Sequence, residues 1–281
     1  MVHVPDSTAW YPEQYGQLID AATKEKAIAG QVLTPVTCGG YTMSFPILAT
    51  DPNAGWYAPS SEIALSDAGL NELTVTVKAV KGLTKLSNES ANDSSPDLAN
   101  VIGGALSRQV TAKLDAALFS NTVPVDGAQG FAGYAFTSLD VPGGLTTVAN
   151  TDKFVQARYD ALSNADAHLT HWIIAPDVAK HFATAKVATS DNRALLDHDA
   201  DGNLVIDGLP ALVSRHVAAG EAWGVDRTQA YLVLRQGTTV ELDRSAAFSS
   251  DSTLVRVVMR AQFACPEPAG IVRLWDDPAV I

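Results

Sequence analysis

Two cysteines, Cys38 and Cys265, are all that 281 residues contain. They are too few for a disulfide framework and sit in no metal-type cluster, so both are expected as reduced, packed thiols. Charge is also sparse, at 18% of residues, and lopsided: 19 Lys and Arg stand against 31 Asp and Glu, a net charge of -12. That balance excludes a general basic face for gripping nucleic acid and disfavours an anionic membrane surface. No run approaches the roughly 18 apolar residues that span a bilayer, and Met1 to Asp6 has neither the basic region nor the apolar core of a secretory signal. The default compartment is cytoplasmic. There is no G-x-S-x-G elbow, P-loop, dinucleotide-binding glycine pattern or H-E-x-x-H helix. The expectation is therefore a protein that is not an enzyme and carries no cofactor.

What is present is a chain that is 47% apolar and long enough for one large or two modest domains. Its charge is segregated. After Lys26 no Lys or Arg occurs until Lys78, while Asp51, Glu62, Asp67 and Glu72 lie between. The middle of that insert, Thr50 to Ser61, is turn chemistry rich in Pro, Gly, Asp, Asn and Ser. Tyr41 to Ile47 and Leu73 to Val80 flank it, and the second alternates with the period of a strand. Together they predict a long hairpin arm, which an isolated two-stranded ribbon cannot stabilise unaided, so a neighbouring subunit is its expected support.

A long amphipathic helix is predicted over 96–119, with Ser95 as N-cap, Pro96 at its first position and Asp97 at the positive end of the dipole. Leu98, Ile102, Leu106, Val110, Leu114 and Leu118 recur every four residues. Asn100, Ser107, Arg108, Thr111 and Asp115 are expected off that stripe, facing water or a partner. A glycine-rich boundary follows, then alternating helices and strands from Thr151 that predict a mixed α+β domain, then long closing strands.

Two motifs suggest metal chemistry. Asp197, Asp199 and Asp201 with Gly202 reproduce the start of a calcium loop around His198, but the twelfth position is Gly208 where a bidentate Glu belongs. A surface turn is the competing account. His168 and His171 are spaced for a shared metal on a helix, yet the segment reads as a strand, where positions three apart face opposite ways.

The order of these features resembles the Hong Kong 97-type major capsid protein of tailed bacteriophages over essentially the whole chain. The residues that carry the likeness are Gly55-Trp56-Tyr57 through Glu62 and Ser66-Asp67, Val75 to Lys78, Leu86 to Glu89, Asp93-Ser94, and the helix Leu98 to Leu118. Trp172 to Pro176, Gly208 to Ser214, Val255 to Arg260 and Pro266 to Leu274 complete it. The resemblance implies an α+β Hong Kong 97-type capsid fold: an N-terminal arm at 1–31, a peripheral-domain strand at 32–40 and an extended loop at 41–79. A peripheral domain with the spine helix follows at 80–120, an axial domain at 121–240 and returning peripheral strands at 241–281. It implies a structural role, with hexamers and pentamers forming an icosahedral shell around double-stranded DNA. The implied partners are the chain itself, a separate scaffolding protein, a portal and decoration proteins. A cellular encapsulin-like cage is the nearest alternative, and a cytoplasmic metal-binding protein or enzyme around Asp197 to Asp201 the alternative from another class.

The charge pattern adds a contact to test. Asp51, Glu62, Asp67 and Glu72 of one subunit are expected against Arg108, Arg244, Arg256, Arg260 or Arg273 of a neighbour, with burial of Trp56, Tyr57, Ile63 and Leu65 supplying most of the affinity. Some family members weld subunits through a Lys of the extended loop, but positions 49–72 contain no Lys. Shells boiled in denaturant should therefore run as monomers on a gel; a ladder of higher species would show a weld through other residues.

Overall fold

The computed structural model describes residues 27–50, 52–89, 98–122, 124, 126–188, 191–200, 202–243 and 245–276. A short helix α1 (Ile28–Val32) leads into β1 (Thr34–Thr37), the hairpin β2 (Thr42–Thr50) and β3 (Gly69–Thr76), and then β4 (Lys78–Ser87). The long helix α2 (Leu98–Leu118) follows. Its burial is that of an amphipathic helix: Val110, Leu114 and Leu118 are in the core. The N-cap expected at Ser95 to Asp97 lies outside the described residues.

Two sheets organise the rest. Strands β12 (Tyr231–Asp243) and β13 (Ser252–Ala264) are long antiparallel partners, with β1 parallel on one side and β4 antiparallel on the other, giving the order β1-β12-β13-β4. The inner face of β4 and β13 receives α2; Leu106 lies over Gly82. The second sheet has the order β5-β14-β11-β6-β10-β9, built from β5 (Thr137–Asp140), β6 (His171–Ile174), β9 (Leu204–Ile206), β10 (Leu209–Val213), β11 (Ala222–Val225) and β14 (Ile271–Trp275). Helices α3 (Asp152–Ala165) and α4 (Pro176–Thr184) cover it, with Phe154 set edge-on to Trp172 and Phe182. A two-stranded ribbon of β7 (Lys186–Ala188) and β8 (Asp191–Ala194) completes the chain.

The sheet pairing redraws the boundary expected near 240. β12 starts at Tyr231 and belongs to the four-stranded sheet, while β14, grouped from sequence with the closing strands, pairs with β5 and β11 in the six-stranded sheet. A buried ion pair also ties β14 to the residue before β11. Arg273 is 3% exposed and grips Glu221 through Nη2 at 2.7 and 2.8 Å and Nε at 3.1 Å. Its Nη2 also donates to Asn121 Oδ1 at 2.7 Å, and its guanidinium lies 3.7 Å from the Trp275 ring centre.

Two local features depend on single residues. Gly130 lies so close under the end of α2 that a Cβ would collide with the carbonyl oxygens of Ala117 and Leu118. Asp207 and Gly208, both at positive φ, make the tight turn joining β9 to β10, so the glycine at the twelfth position of the calcium-like pattern is a hairpin residue. Asp115 corrects the expectation from periodicity: with Ser107, it is buried rather than turned to water. Its Oδ1 accepts the Ala29 N–H at 3.0 Å and its Oδ2 the Ile28 N–H at 3.2 Å, fastening the start of α1 to α2. Burial raises the Asp115 pKa, opposed by those two N–H bonds and by nearby His216 and Arg215.

Both charged groups yield predictions for the unassembled subunit in urea. Arg273→Ala leaves Glu221 buried without its partner and should cost about 3–5 kcal/mol; a loss below about 1 kcal/mol would mean that the pair is not needed. A carboxyl whose pKa is raised on folding binds its proton more tightly in the folded chain. Its contribution is full below the ordinary value of 3.8 and lost as pH rises through the folded value. The stability of the wild type relative to Asp115→Asn should therefore be greatest in acid and decline toward neutrality, and a flat or inverted difference would refute this.

Candidate functional site

The arm is the least self-sufficient part of the molecule. β2 and β3 pair only with each other among the described residues, in register from Thr42↔Thr76 to Leu48↔Leu70 and then, after a one-residue shift, at Thr50↔Gly69. At its root the ribbon has a small core: Val75, Val77 and Cys38 pack with Val233 and Ala264, and Phe45 stacks on Tyr231 at 5.2 Å. The Val77 N–H closes the root on the Tyr41 carbonyl at 3.0 Å.

Beyond the root no described residue covers it. The tip is shaped by polar cross-links: the Asn53 N–H donates to Ser66 Oγ at 2.9 Å, and the Ala64 N–H to the Tyr57 hydroxyl at 3.3 Å. The apolar side chains point outward. Trp56 is fully exposed, Leu65 is 95% and Ile63 is 72% exposed, Tyr57 is less so, and Leu70 stands out from β3. Large apolar groups concentrated on one projecting element mark an interaction site. Glu62, Asp67 and Glu72 are exposed beside them, whereas Asp51 lies outside the described residues.

The arginines named from sequence divide. Arg273 is corrected: it is enclosed by Glu221, Asn121 and Trp275 of its own chain and is not available to a neighbour. Arg256 is exposed but pairs with Glu241, its cross-strand neighbour. Arg108 is exposed on α2, Arg260 is half-buried on β13, and Arg244 lies outside the described residues. Sequence reasoning passed over the lysines of β4. Lys78, Lys81 and Lys85 lie on that strand, and Lys113 faces solvent from α2. Their signal was available in the first cation after the acid-only insert, Lys78, and the two that follow it.

The described metal candidates hydrogen-bond within their own turns and strands. Asp199 closes its turn by accepting the Asn203 backbone N–H at 2.7 Å and the Asn203 amide at 3.1 Å, and His198 bridges to Leu204. The Asp197 carbonyl accepts the Val205 N–H at 3.0 Å, and Asp201 is outside the described residues. His168 lies before β6 and its N–H donates to Asp226, while His171 Nδ1 is 2.9 Å from the Thr170 hydroxyl. Burial, with Arg227 nearby, lowers the His171 pKa. Among the described residues no three His, Cys, Asp or Glu side chains converge as a metal site. Cys38 and Cys265 are free and buried, and burial pushes the Cys265 thiol up. No helix among the described residues is long and apolar enough to cross a membrane.

The fold recurs in solved capsids. The capsid of an empty GTA particle matches at a TM-score of 0.70 and 16% identity, covering 89% of each chain. A structure from Mycobacterium phage Bobi matches at 0.69 and 18% identity over 99% of this chain and 95% of the other. Microbacterium phage Oxtober96 provides a third at 0.68 and 16%, over 98% and 95%. A comparison with curated protein sequences finds no match. The sequence profile of the phage capsid family matches residues 11–275. The cellular-cage and metal-enzyme alternatives gain no support from these similarities. The chain belongs to the phage capsid family, as a structural major capsid protein of the phage head and not an enzyme.

Proposed function

We propose that this capsid protein assembles as hexamers and pentamers into an icosahedral shell around double-stranded DNA, and that each subunit holds its neighbour with the β2–β3 arm. The observation that carries this reading is the tip, where Trp56, Ile63 and Leu65 are exposed and uncovered by any described residue. In this arrangement the four-stranded sheet with α2 forms the peripheral domain and the six-stranded sheet with α3 and α4 the axial domain. Assembly takes place in the host cytoplasm with a separate scaffolding protein, and a portal and decoration proteins complete the head. The net charge of -12 suits a container that confines DNA without adhering to it.

Affinity at the arm comes chiefly from apolar burial and orientation from charge. Rim ion pairs contribute about 0–1 kcal/mol each, whereas truncating a buried aromatic anchor commonly costs about 2 kcal/mol or more. Glu62→Lys should therefore reduce shell yield at low salt with the deficit shrinking as salt rises, and Trp56→Ala should reduce yield at every salt concentration. Negative-stain electron microscopy with sedimentation measures both. Normal shells from both variants would remove the arm tip from the assembly contact. A wild-type chain that stays monomeric with its scaffold present would overturn the shell itself.

A further inference from the structure

Three segments meet at one guanidinium. Arg273 stands on β14 of the six-stranded sheet, Glu221 immediately precedes β11, and Asn121 lies just past the C-terminal end of α2. Glu221 takes both Nε and Nη2, and Nη2 donates a further hydrogen bond to Asn121 Oδ1 at 2.7 Å. Asn121 itself is exposed, so its side chain owes its place to that bond rather than to packing.

Apolar contact runs alongside. Phe119, the residue after α2, meets Phe131 edge-on at 5.9 Å, Phe131 lies 5.4 Å from the Trp223 ring on β11, and Arg273 is 5.1 Å from that same ring. Gly130 lets this segment pass directly beneath the last carbonyls of α2. Ring contacts hold the helix end against the sheet but fix no single angle, since edge-on and tilted pairs are both favourable. A planar guanidinium fork does fix direction, because its donors point along set lines.

We infer that Asn121 and Arg273 are positioning residues: their bond fixes the angle at which α2, with the four-stranded sheet packed on it, leaves the six-stranded sheet, and that angle sets the curvature of the shell. The consequence for curvature rests on the shell-forming reading above. A closed shell repeats one subunit shape many times, so a small change of angle within each copy accumulates into a different closure.

The joint is tested first on the unassembled subunit. Spin labels at Gln109→Cys on α2 and Tyr159→Cys on α3, both exposed, measure the distance from the helix to the six-stranded sheet, and the two native cysteines are buried. Asn121→Ala removes the acceptor and should raise the population of a second distance about tenfold, the shift that follows loss of one charge-assisted hydrogen bond. Its urea midpoint should stay close to that of the wild type, because the position is exposed. Asn121→Asp keeps an acceptor oxygen and should return the wild-type distance, and Thr122→Ala, the next residue along, should leave it unchanged.

Assembled with scaffold, Asn121→Ala particles should be abnormal in diameter or fail to close in negative-stain electron microscopy, and Asn121→Asp particles should be normal. The inference is overturned if Asn121→Ala keeps the wild-type distance distribution, if Asn121→Asp departs from it as far as Asn121→Ala does, or if shells with a changed distance keep the wild-type diameter. Absence of shells from the wild type refutes the shell-forming reading instead, and the distance measurement then decides the joint by itself.

Discussion

A two-stranded ribbon has no second layer on which to bury a face. Every large apolar group on its outer half must meet water or another molecule, and this constraint governs how the subunit is built. Among the described residues only the root of the arm has cover, from Tyr231, Val233 and Ala264, which fixes the ribbon's direction without hiding its tip. The body supplies rigidity where the ribbon enters: β12 and β13 are each 13 residues long and run beneath the root and out along α2. An element with few contacts of its own is thus held at one end by two long paired strands.

Much of this was legible because it rests on local patterns. The four-residue repeat from Leu98 to Leu118 places α2, the alternation at Leu73 to Val77 places β3, and Pro, Gly and Asp mark the tip between the strands. What was not legible depends on contacts distant in sequence. Asp115 has the spacing of a solvent-facing position, but its partners are backbone amides 86 and 87 residues away, a pairing that no periodicity reveals. Likewise β14 follows β13 after a short link, and only its pairing with β5 and β11 shows which sheet it joins.

Arg273 teaches the same lesson about charge. In sequence it is one of several arginines near the end of the chain; in space its guanidinium lies against Trp275 and grips Glu221, while Arg256, on β13 of the other sheet, is exposed. A cation's usefulness to a neighbour depends on whether its own chain already satisfies it. By that criterion Arg273 and Arg256 recede. The Asp199 turn is comparable, since a carboxylate that looks ready for a cation in sequence is occupied by Asn203.

The grip of Asp115 on the amides of Ile28 and Ala29 has a mechanical meaning. Tension at α1 is passed by a buried carboxylate directly to the C-terminal end of α2. A displacement of α1 is therefore carried to the last turn of α2 without passing through a sheet.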